Sequence, residues 1–126
     1  MRKIINTDLA PKAVGPYSQA VMVDDLLFVS GQLPIDPVTN ELVEDDIVIQ
    51  TRRSFENIKT ILNEAGMSLD NVVKTNVFLK DIKEFGAMNE VYATYFNEGN
   101  YPARIALEVA AIPKGARVEI EVIAKK

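Results

Sequence analysis

The chain has 126 residues, of which 48% are hydrophobic and 25% charged, and this composition excludes a disordered protein and predicts one folded domain over residues 1–126. Acidic residues outnumber basic ones by 18 to 14, and the resulting acidic balance argues against nucleic acid as a partner. Because histidine and cysteine are absent, Ser-His and Cys-His nucleophile pairs, disulfides and thiolate metal sites are excluded.

Apolar runs in the chain are short. None approaches the roughly 20 residues that a membrane-spanning helix needs, and the first residues do not form the apolar region of a signal peptide. We therefore expect a cytoplasmic protein that does not bind membranes.

A hairpin is the first element predicted along the chain. Residues 20–23 and 26–30 are mostly apolar, and the Asp24-Asp25 pair between them tolerates the left-handed backbone of a tight turn. The second of these strands is apolar on both faces from Leu26 to Val29, so that both faces are expected to be covered.

A long helix is predicted next. Asp45 and Asp46 are suited to cap its first turn, and Gly66 stands where a left-handed C-terminal cap is expected. Between them, residues suited to a packed face recur every three or four positions: Thr51, Phe55, Ile58, Leu62 and Ala65. The helix should therefore end near Ala65.

Strand-like alternation follows over residues 72–79, with Lys74 and Asn76 on one side. The other side is predicted to face the core and consists of Val73, Thr75, Val77 and Leu79. A second helix begins after it, because Asp81 and Glu84 have the spacing of a capping box. Its apolar stripe comprises Phe85, Met88, Tyr92 and Phe96, and Gly99 is suited to end it.

Two further strands are predicted at 103–109 and 117–124, joined through a turn at 113–115. The element order predicts an α+β or mixed α/β fold. Two helices cover only one face of a sheet of four or five strands, yet apolar residues are predicted on the other face as well. These are Leu26 to Val29, Val72, Phe78, Ala106 and Ile123. A second copy of the chain is expected to cover that face, and the number of copies does not follow from the pattern.

Arg104 and Glu119 are the principal candidates for chemistry. Arginine binds carboxylates through paired charged hydrogen bonds, which suits a small anionic substrate, but an ion pair with Glu108 or another carboxylate would explain Arg104 as well. Alternation places Glu119 and Glu121 opposite the core side of the last strand, where partial burial would raise a carboxyl pKa and suit acid-base work. A solvated sheet face is the alternative. If the last two strands form a hairpin, its register decides whether Arg104 and Glu119 share a face, and the sequence leaves that register open.

Weaker candidates are Tyr17, Ser30, Gly31 and Asn89. Tyr17 follows a Gly-Pro turn and has a hydroxyl that could bind an anion or water, although a packing role is equally plausible. Gly31 would admit a ligand close to the backbone, although a bulge explains it nearly as well. Asn89 borders the helical stripe, where a surface position is the default. No phosphate-binding or metal-binding motif occurs, so we predict no cofactor and no metal site.

Five ordered segments together resemble the RidA (YjgF-type) reactive-intermediate deaminase family: GPYSQA at 15–20, VSGQLP at 29–34, VKTNVFLKD at 73–81, YPAR at 101–104 and VEIE at 118–121. The resemblance implies a chorismate-mutase-like α+β fold with two helices on one face of a mixed sheet, assembled as a homotrimer with active sites between subunits. It also implies hydrolysis of 2-imino acids, such as 2-iminobutanoate and 2-iminopropanoate, to 2-oxo acids and ammonium. Such imines are released by pyridoxal-dependent dehydratases and damage other enzymes of that type.

By the same resemblance, Arg104 corresponds to the arginine that holds the substrate carboxylate and Glu119 to the glutamate that activates water. Tyr17 is implied near the water and the substrate, while Ser30, Gly31 and Asn89 match other positions of the cleft. The cysteine common in the family is here Ala106, of which only the backbone N–H remains as a donor. Some relatives bind metabolites as regulators and others are described as ribonucleases, so both activities stand as alternatives.

Overall fold

The computed structural model describes residues 1–126 as a six-stranded sheet with two helices on one face. The strands run in the order β1-β2-β3-β8-β6-β7, and only the β6–β7 pair is parallel, which confirms a mixed sheet. Neither helix is long and apolar enough to cross a membrane. The elements are β1 (Arg2–Ile5), β2 (Ala20–Val23), β3 (Leu26–Gln32), β4 (Ile35–Asp36), β5 (Glu41–Leu42), α1 (Ile47–Glu64), β6 (Val72–Leu79), α2 (Phe85–Tyr95), β7 (Ala103–Glu108) and β8 (Val118–Lys125).

The predicted hairpin is formed by β2 and β3, and Asp24 in its turn has a positive φ of 54°. Two features were not predicted. Strand β1 pairs with β2 at the edge of the sheet, and β4 pairs with β5 in a separate small hairpin. Both features consist of short strands without a clear alternation, which explains why the pattern did not reveal them.

Helix α1 forms as predicted. The Asp46 carboxylate accepts hydrogen bonds from the N–H groups of Val48 and Ile49 at 2.9 and 3.0 Å, and Gly66 follows the helix with a φ of 73°. The entire predicted stripe is buried: Thr51, Phe55, Ile58, Leu62 and Ala65. The stripe packs against β3 and β8, so this helix covers the middle of the sheet.

Replacing the cap of α1 should measurably destabilise the protein. Asp46→Ala leaves two N–H groups without their acceptor, and we expect the free energy of unfolding to fall by about 1 kcal/mol in urea denaturation. Asp46→Asn keeps an oxygen acceptor at the same position and is the matched control. Equal losses in the two variants would show that the hydrogen bonds are not responsible.

The predicted face assignment at the start of β6 was wrong. The pairing of β6 with β8 shifts register between Val72 and Lys74, as in a β-bulge. Val72 is therefore buried and belongs to the core, whereas Val73 is 47% exposed. From Thr75 onward the predicted alternation is confirmed, since Thr75, Val77 and Leu79 are completely buried.

Helix α2 is shorter than predicted. The Asp81 carboxylate does cap the chain, accepting from the Lys83 N–H at 2.9 Å, but what it caps is a single 3₁₀ turn at Ile82–Glu84. The α-helix begins only at Phe85 and ends at Tyr95, before Gly99. Glu84 does not act as the second half of a capping box, because its carboxylate accepts from Arg117 Nη1 at 2.9 Å.

The hairpin considered for the last two strands does not form, because β6 lies between β7 and β8. Thr75 of β6 pairs with Arg104 on one side and with Val122 on the other, so Arg104 lies on the face that carries the helices. By the same register Phe78 pairs with Glu119, and both lie on the opposite face. Arg104 and Glu119 are thus on different faces of one sheet.

The face without helices, called the open face here, is rich in apolar side chains. Phe28 and Ile105 are 44% and 46% exposed, and Phe78 and Ile123 are half-buried, as predicted for an uncovered face. Ala106 was wrongly placed there. It pairs with buried Val77 and packs against the core on the helical face.

Candidate functional site

A cleft of about 720 Å³ brings together four of the predicted residues, Tyr17, Ser30, Gly31 and Glu119. We call it the Glu119 cleft. The loop before β2, the end of β3, the turn at 113–115 and the start of β8 form its walls. Charged side chains at its edge are Lys12, Lys114 and Glu121.

Because Gly31 has no side chain, the Glu119 side chain can lie close to the Gly31 backbone. Strand β3 shifts register against β8 between Val29 and Gln32, and this irregularity brings the Gly31 backbone close to Glu119. A Cβ at Gly31 would lie 3.0 Å from both the Cδ and the Oε2 of Glu119, which is tighter than nearly all Cβ contacts in proteins. The predicted bulge at this glycine is therefore confirmed, and the group that approaches its backbone within the chain is the Glu119 side chain.

The environment of Glu119 favours its protonated form. Burial in the cleft raises the pKa of the Glu119 carboxyl above its ordinary value, and the nearby negative charge of Glu121 raises it further. A carboxylate with a raised pKa is a better base for water than an exposed one. The prediction of a partly buried Glu119 on the side opposite the core is confirmed.

Tyr17 and Ser30 differ in how firmly they are held. The Tyr17 N–H donates to the Gly15 carbonyl at 2.9 Å in a tight turn, and the side chain is 53% exposed with its hydroxyl free of partners in the chain. The Ser30 hydroxyl donates to the Ser18 carbonyl at 2.6 Å, which leaves the oxygen of Ser30 as an acceptor. Tyr17 is thus free to bind a ligand or water.

Gln19 is a positioning residue that the sequence reasoning missed. Its buried amide accepts from the Thr7 N–H at 2.8 Å and donates to the carbonyls of Thr7 and Pro11 at 3.0 and 2.9 Å. These bonds fix the loop that forms one wall of the Glu119 cleft and leads to Tyr17. Its signals in the sequence were its place just before an apolar strand and within the GPYSQA segment at 15–20.

Arg104 lies in a second cleft of about 440 Å³, called the Arg104 cleft, with Asn89, Tyr92 and Tyr101 in its walls. The guanidinium donates from Nη1 to Asn89 Oδ1 at 2.6 Å and lies 4.7 Å above the ring of Tyr92. It forms no ion pair within the chain. The alternative of a pair with Glu108 was wrong, since that carboxylate accepts from the Ile82 N–H at 3.0 Å.

The backbone beside Arg104 offers a further donor. Strand β7 is the last strand of the sheet, so one of its sides has no partner. Consecutive N–H groups of a strand point to alternate sides, and the Val109 N–H donates to Leu79 of β6 at 2.9 Å. By this alternation the Ala106 N–H points to the free edge, as does the N–H of Arg104.

The predicted residues therefore divide between two clefts. Tyr17, Ser30, Gly31 and Glu119 line one of them, whereas Arg104 and Asn89 line the other. Since Arg104 and Glu119 lie on opposite faces of the sheet, one chain alone presents two partial sites. One of them offers a base for water, and the other an unpaired cation for an anionic group.

Known proteins resemble the chain over its whole length. The family model described as Endoribonuclease L-PSP matches residues 7–126. A RutC family protein of Pyrococcus abyssi is 54% identical, with 99% of this chain and 98% of that protein covered. The 2-iminobutanoate/2-iminopropanoate deaminase of Mus musculus is 50% identical, with 98% and 91% covered.

Solved structures agree with the sequence comparison. A crystal structure from Yersinia pestis, described as YyfA of the conserved Rid protein family, has a TM-score of 0.97 and 48% sequence identity, with both chains covered completely. At this similarity the fold and the family are both established. The chain belongs to the RidA (YjgF-type) family.

Proposed function

We propose that the protein hydrolyses reactive 2-imino acids, such as 2-iminobutanoate and 2-iminopropanoate, to the corresponding 2-oxo acids and ammonium. The proposal rests mainly on one observation: the two clefts contain complementary groups. Glu119 in one cleft is a half-buried carboxyl with a raised pKa, and Arg104 in the other is an arginine without an ion pair. The name of the mouse relative, a deaminase of these two imines, supports the same substrate class.

In the proposed reaction, Arg104 binds the substrate carboxylate and the Ala106 N–H adds a donor at the strand edge. Glu119 accepts a proton from water as the water oxygen attacks the carbon of the protonated imine. Glu119 then returns that proton to the nitrogen of the carbinolamine. As the C–N bond breaks, Glu119 takes the hydroxyl proton and passes it to the departing ammonia, which leaves as ammonium. Protonated imine and water thereby give 2-oxo acid and ammonium, and no covalent intermediate or cofactor is needed.

The reaction as proposed requires more than one chain. A ligand that contacts both Arg104 and Glu119 needs the Arg104 cleft of one subunit beside the Glu119 cleft of another, since the two residues lie on opposite faces of a sheet. The apolar open face, with Phe28 and Ile105 exposed, supplies a surface for that contact. We propose a homotrimer with three such shared sites, as the family resemblance implies.

A coupled assay tests the function. A pyridoxal-dependent threonine dehydratase generates 2-iminobutanoate, semicarbazide traps free imine, and the formation of 2-oxobutanoate is followed. We expect the protein to compete with the trap and to raise the 2-oxobutanoate yield in proportion to its concentration. Unchanged trapping by an intact oligomer would contradict hydrolysis and favour a metabolite-binding regulator, which would still bind 2-oxo acids.

Ribonuclease activity is the other candidate, because the matching family model carries that description. The site disfavours it, since Lys12 and Lys114 are matched by Glu119 and Glu121 and the cleft has no excess of basic residues to bind phosphate. Histidine, the commonest general base in protein active sites, is absent from the chain. Recombinant protein freed of contaminating nuclease should leave RNA intact, and cleavage that copurifies with the protein would revive this candidate.

Gly31→Ala should lower activity more than stability. The added Cβ would lie 3.0 Å from Glu119, so its carboxylate must shift by a few tenths of an ångström. Since a misplacement of about 1 Å costs on the order of 10²-fold in rate, this smaller shift should still cost roughly tenfold. We expect kcat to fall by about tenfold while the thermal unfolding midpoint changes little. Gly86→Ala is the matched control, because a Cβ there meets no atom within 4 Å. Unchanged kcat in Gly31→Ala would show that the position of Glu119 is not critical.

A further inference from the structure

Glu121 is a second carboxylate of the Glu119 cleft, and the proposed reaction gives it no role. It follows Glu119 by two residues on β8, so both side chains lie on the open face and line the same cleft. Its Oε1 accepts a hydrogen bond of 2.7 Å from the side-chain amide of Asn76, its neighbour on β6. It forms no ion pair within the chain. Glu121 is thus a fixed negative group at the edge of the cleft.

We propose that Glu121, held in place by Asn76, attracts the positively charged nitrogen of the ligand, so that the site prefers zwitterions to 2-oxo acid anions. The inference rests on the proposed function for the class of substrate. It assigns Glu121 a role in selecting the ligand, whereas Glu119 exchanges the proton with water.

The negative charge of Glu121 would distinguish the substrate of the proposed reaction from its product. A protonated 2-imino acid carries a carboxylate and a positive nitrogen, whereas the 2-oxo acid product keeps only the carboxylate. A carboxylate that takes no part in proton transfer attracts the substrate and repels the product, so it favours substrate binding and product release. Glu121 forms no ion pair with Lys12 or Lys114 of the cleft, nor with Arg2 and Lys74, which line neighbouring hollows with it.

Two stable ligands with the same carbon skeleton test the inference. L-2-Aminobutanoate carries the α-ammonium and 2-oxobutanoate does not, and the Kd of each is measured by calorimetric titration of the assembled protein at neutral pH. In Glu121→Gln the amide oxygen still accepts from Asn76, so charge is the principal change. We expect the Kd of the amino acid to rise at least about fivefold and that of the oxo acid to stay equal or fall. Glu64→Gln, an equal charge change at an exposed position of α1, should alter neither value.

Equal weakening of both ligands by Glu121→Gln, or an unchanged ratio of their Kd values, would overturn the inference. If Glu121→Gln fails to fold, Asn76→Ala replaces it: releasing the carboxylate should narrow the preference for the amino acid, and an undiminished preference would overturn the inference. Neither ligand is turned over, so these measurements do not depend on catalysis. A protein without imine hydrolysis that still shows the fivefold change would refute the proposed function and leave the charge selection standing.

Discussion

Glu119→Gln should abolish most of the imine hydrolysis while leaving the fold and the substrate affinity nearly unchanged. The amide has the shape of the carboxylate but does not accept a proton from water, and loss of a general base costs about 10² to 10⁴-fold in rate. The effect should appear in kcat of the coupled assay with semicarbazide. The contact of residue 119 with Gly31 is preserved because glutamine and glutamate side chains are of equal size.

The pH dependence of the wild type offers an independent check on the same residue. Glu119 acts as a base only when ionised, and burial together with Glu121 raises its pKa. The rate should therefore fall as the pH is lowered through that raised value, at a higher pH than an ordinary glutamate would give.

Glu41→Gln is the matched control for Glu119→Gln, because Glu41 is an exposed carboxylate in the small β4–β5 hairpin. It should retain wild-type kcat. Wild-type kcat in Glu119→Gln would show that Glu119 is not the base. If the wild-type rate falls only near the ordinary pKa of glutamate, the cleft does not raise the pKa of Glu119.

The sequence predicts those structural features that depend on a local pattern, and it does not predict those that depend on pairing between distant segments. The stripe of α1 and the alternation that directs Glu119 and Glu121 away from the core follow from periodicity. The structure confirms both, since the other side of β8 is buried at Val118, Ile120 and Val122. The bulge at Val72 and the insertion of β6 between β7 and β8 depend on pairing between distant segments, which leaves no local pattern. The predicted faces were wrong for Val72, which lies at the bulge, and for Ala106, whose strand β7 pairs with β6.

The candidate site shows the same division. Each residue could be proposed from its own chemistry or from the family resemblance, but the separation of Arg104 from Glu119 depends on the strand order. The sequence does not decide whether Gly31 serves a bulge or the close approach of a ligand, because both depend on the three-dimensional arrangement. Gln19 was missed because its partners Thr7 and Pro11 lie in an irregular loop, where periodicity is not informative.

Arg104→Ala should lower kcat/KM by about 10²-fold or more, chiefly through KM, because two charged hydrogen bonds to the substrate carboxylate are worth roughly 1.5 to 3 kcal/mol each. Arg104→Lys should recover only part of this loss, since an ammonium does not form the paired geometry. Arg52→Ala, an exposed arginine on α1, is the control and should behave as wild type. A full loss in Arg104→Ala would by itself leave open whether each site is shared between subunits.

Mixing the two impaired variants, and measuring the rate at substrate concentrations far below KM, answers that question. If each site combines Arg104 of one subunit with Glu119 of another, co-expressed Arg104→Ala and Glu119→Gln chains form some sites in which both residues are intact. Random assortment makes this true of roughly a quarter of the sites, so about a quarter of wild-type activity should return. If both residues act from the same chain, every site lacks one of them and the mixture stays inactive. Restored activity would therefore place the reaction between subunits, because the sheet holds Arg104 and Glu119 of one chain on opposite faces.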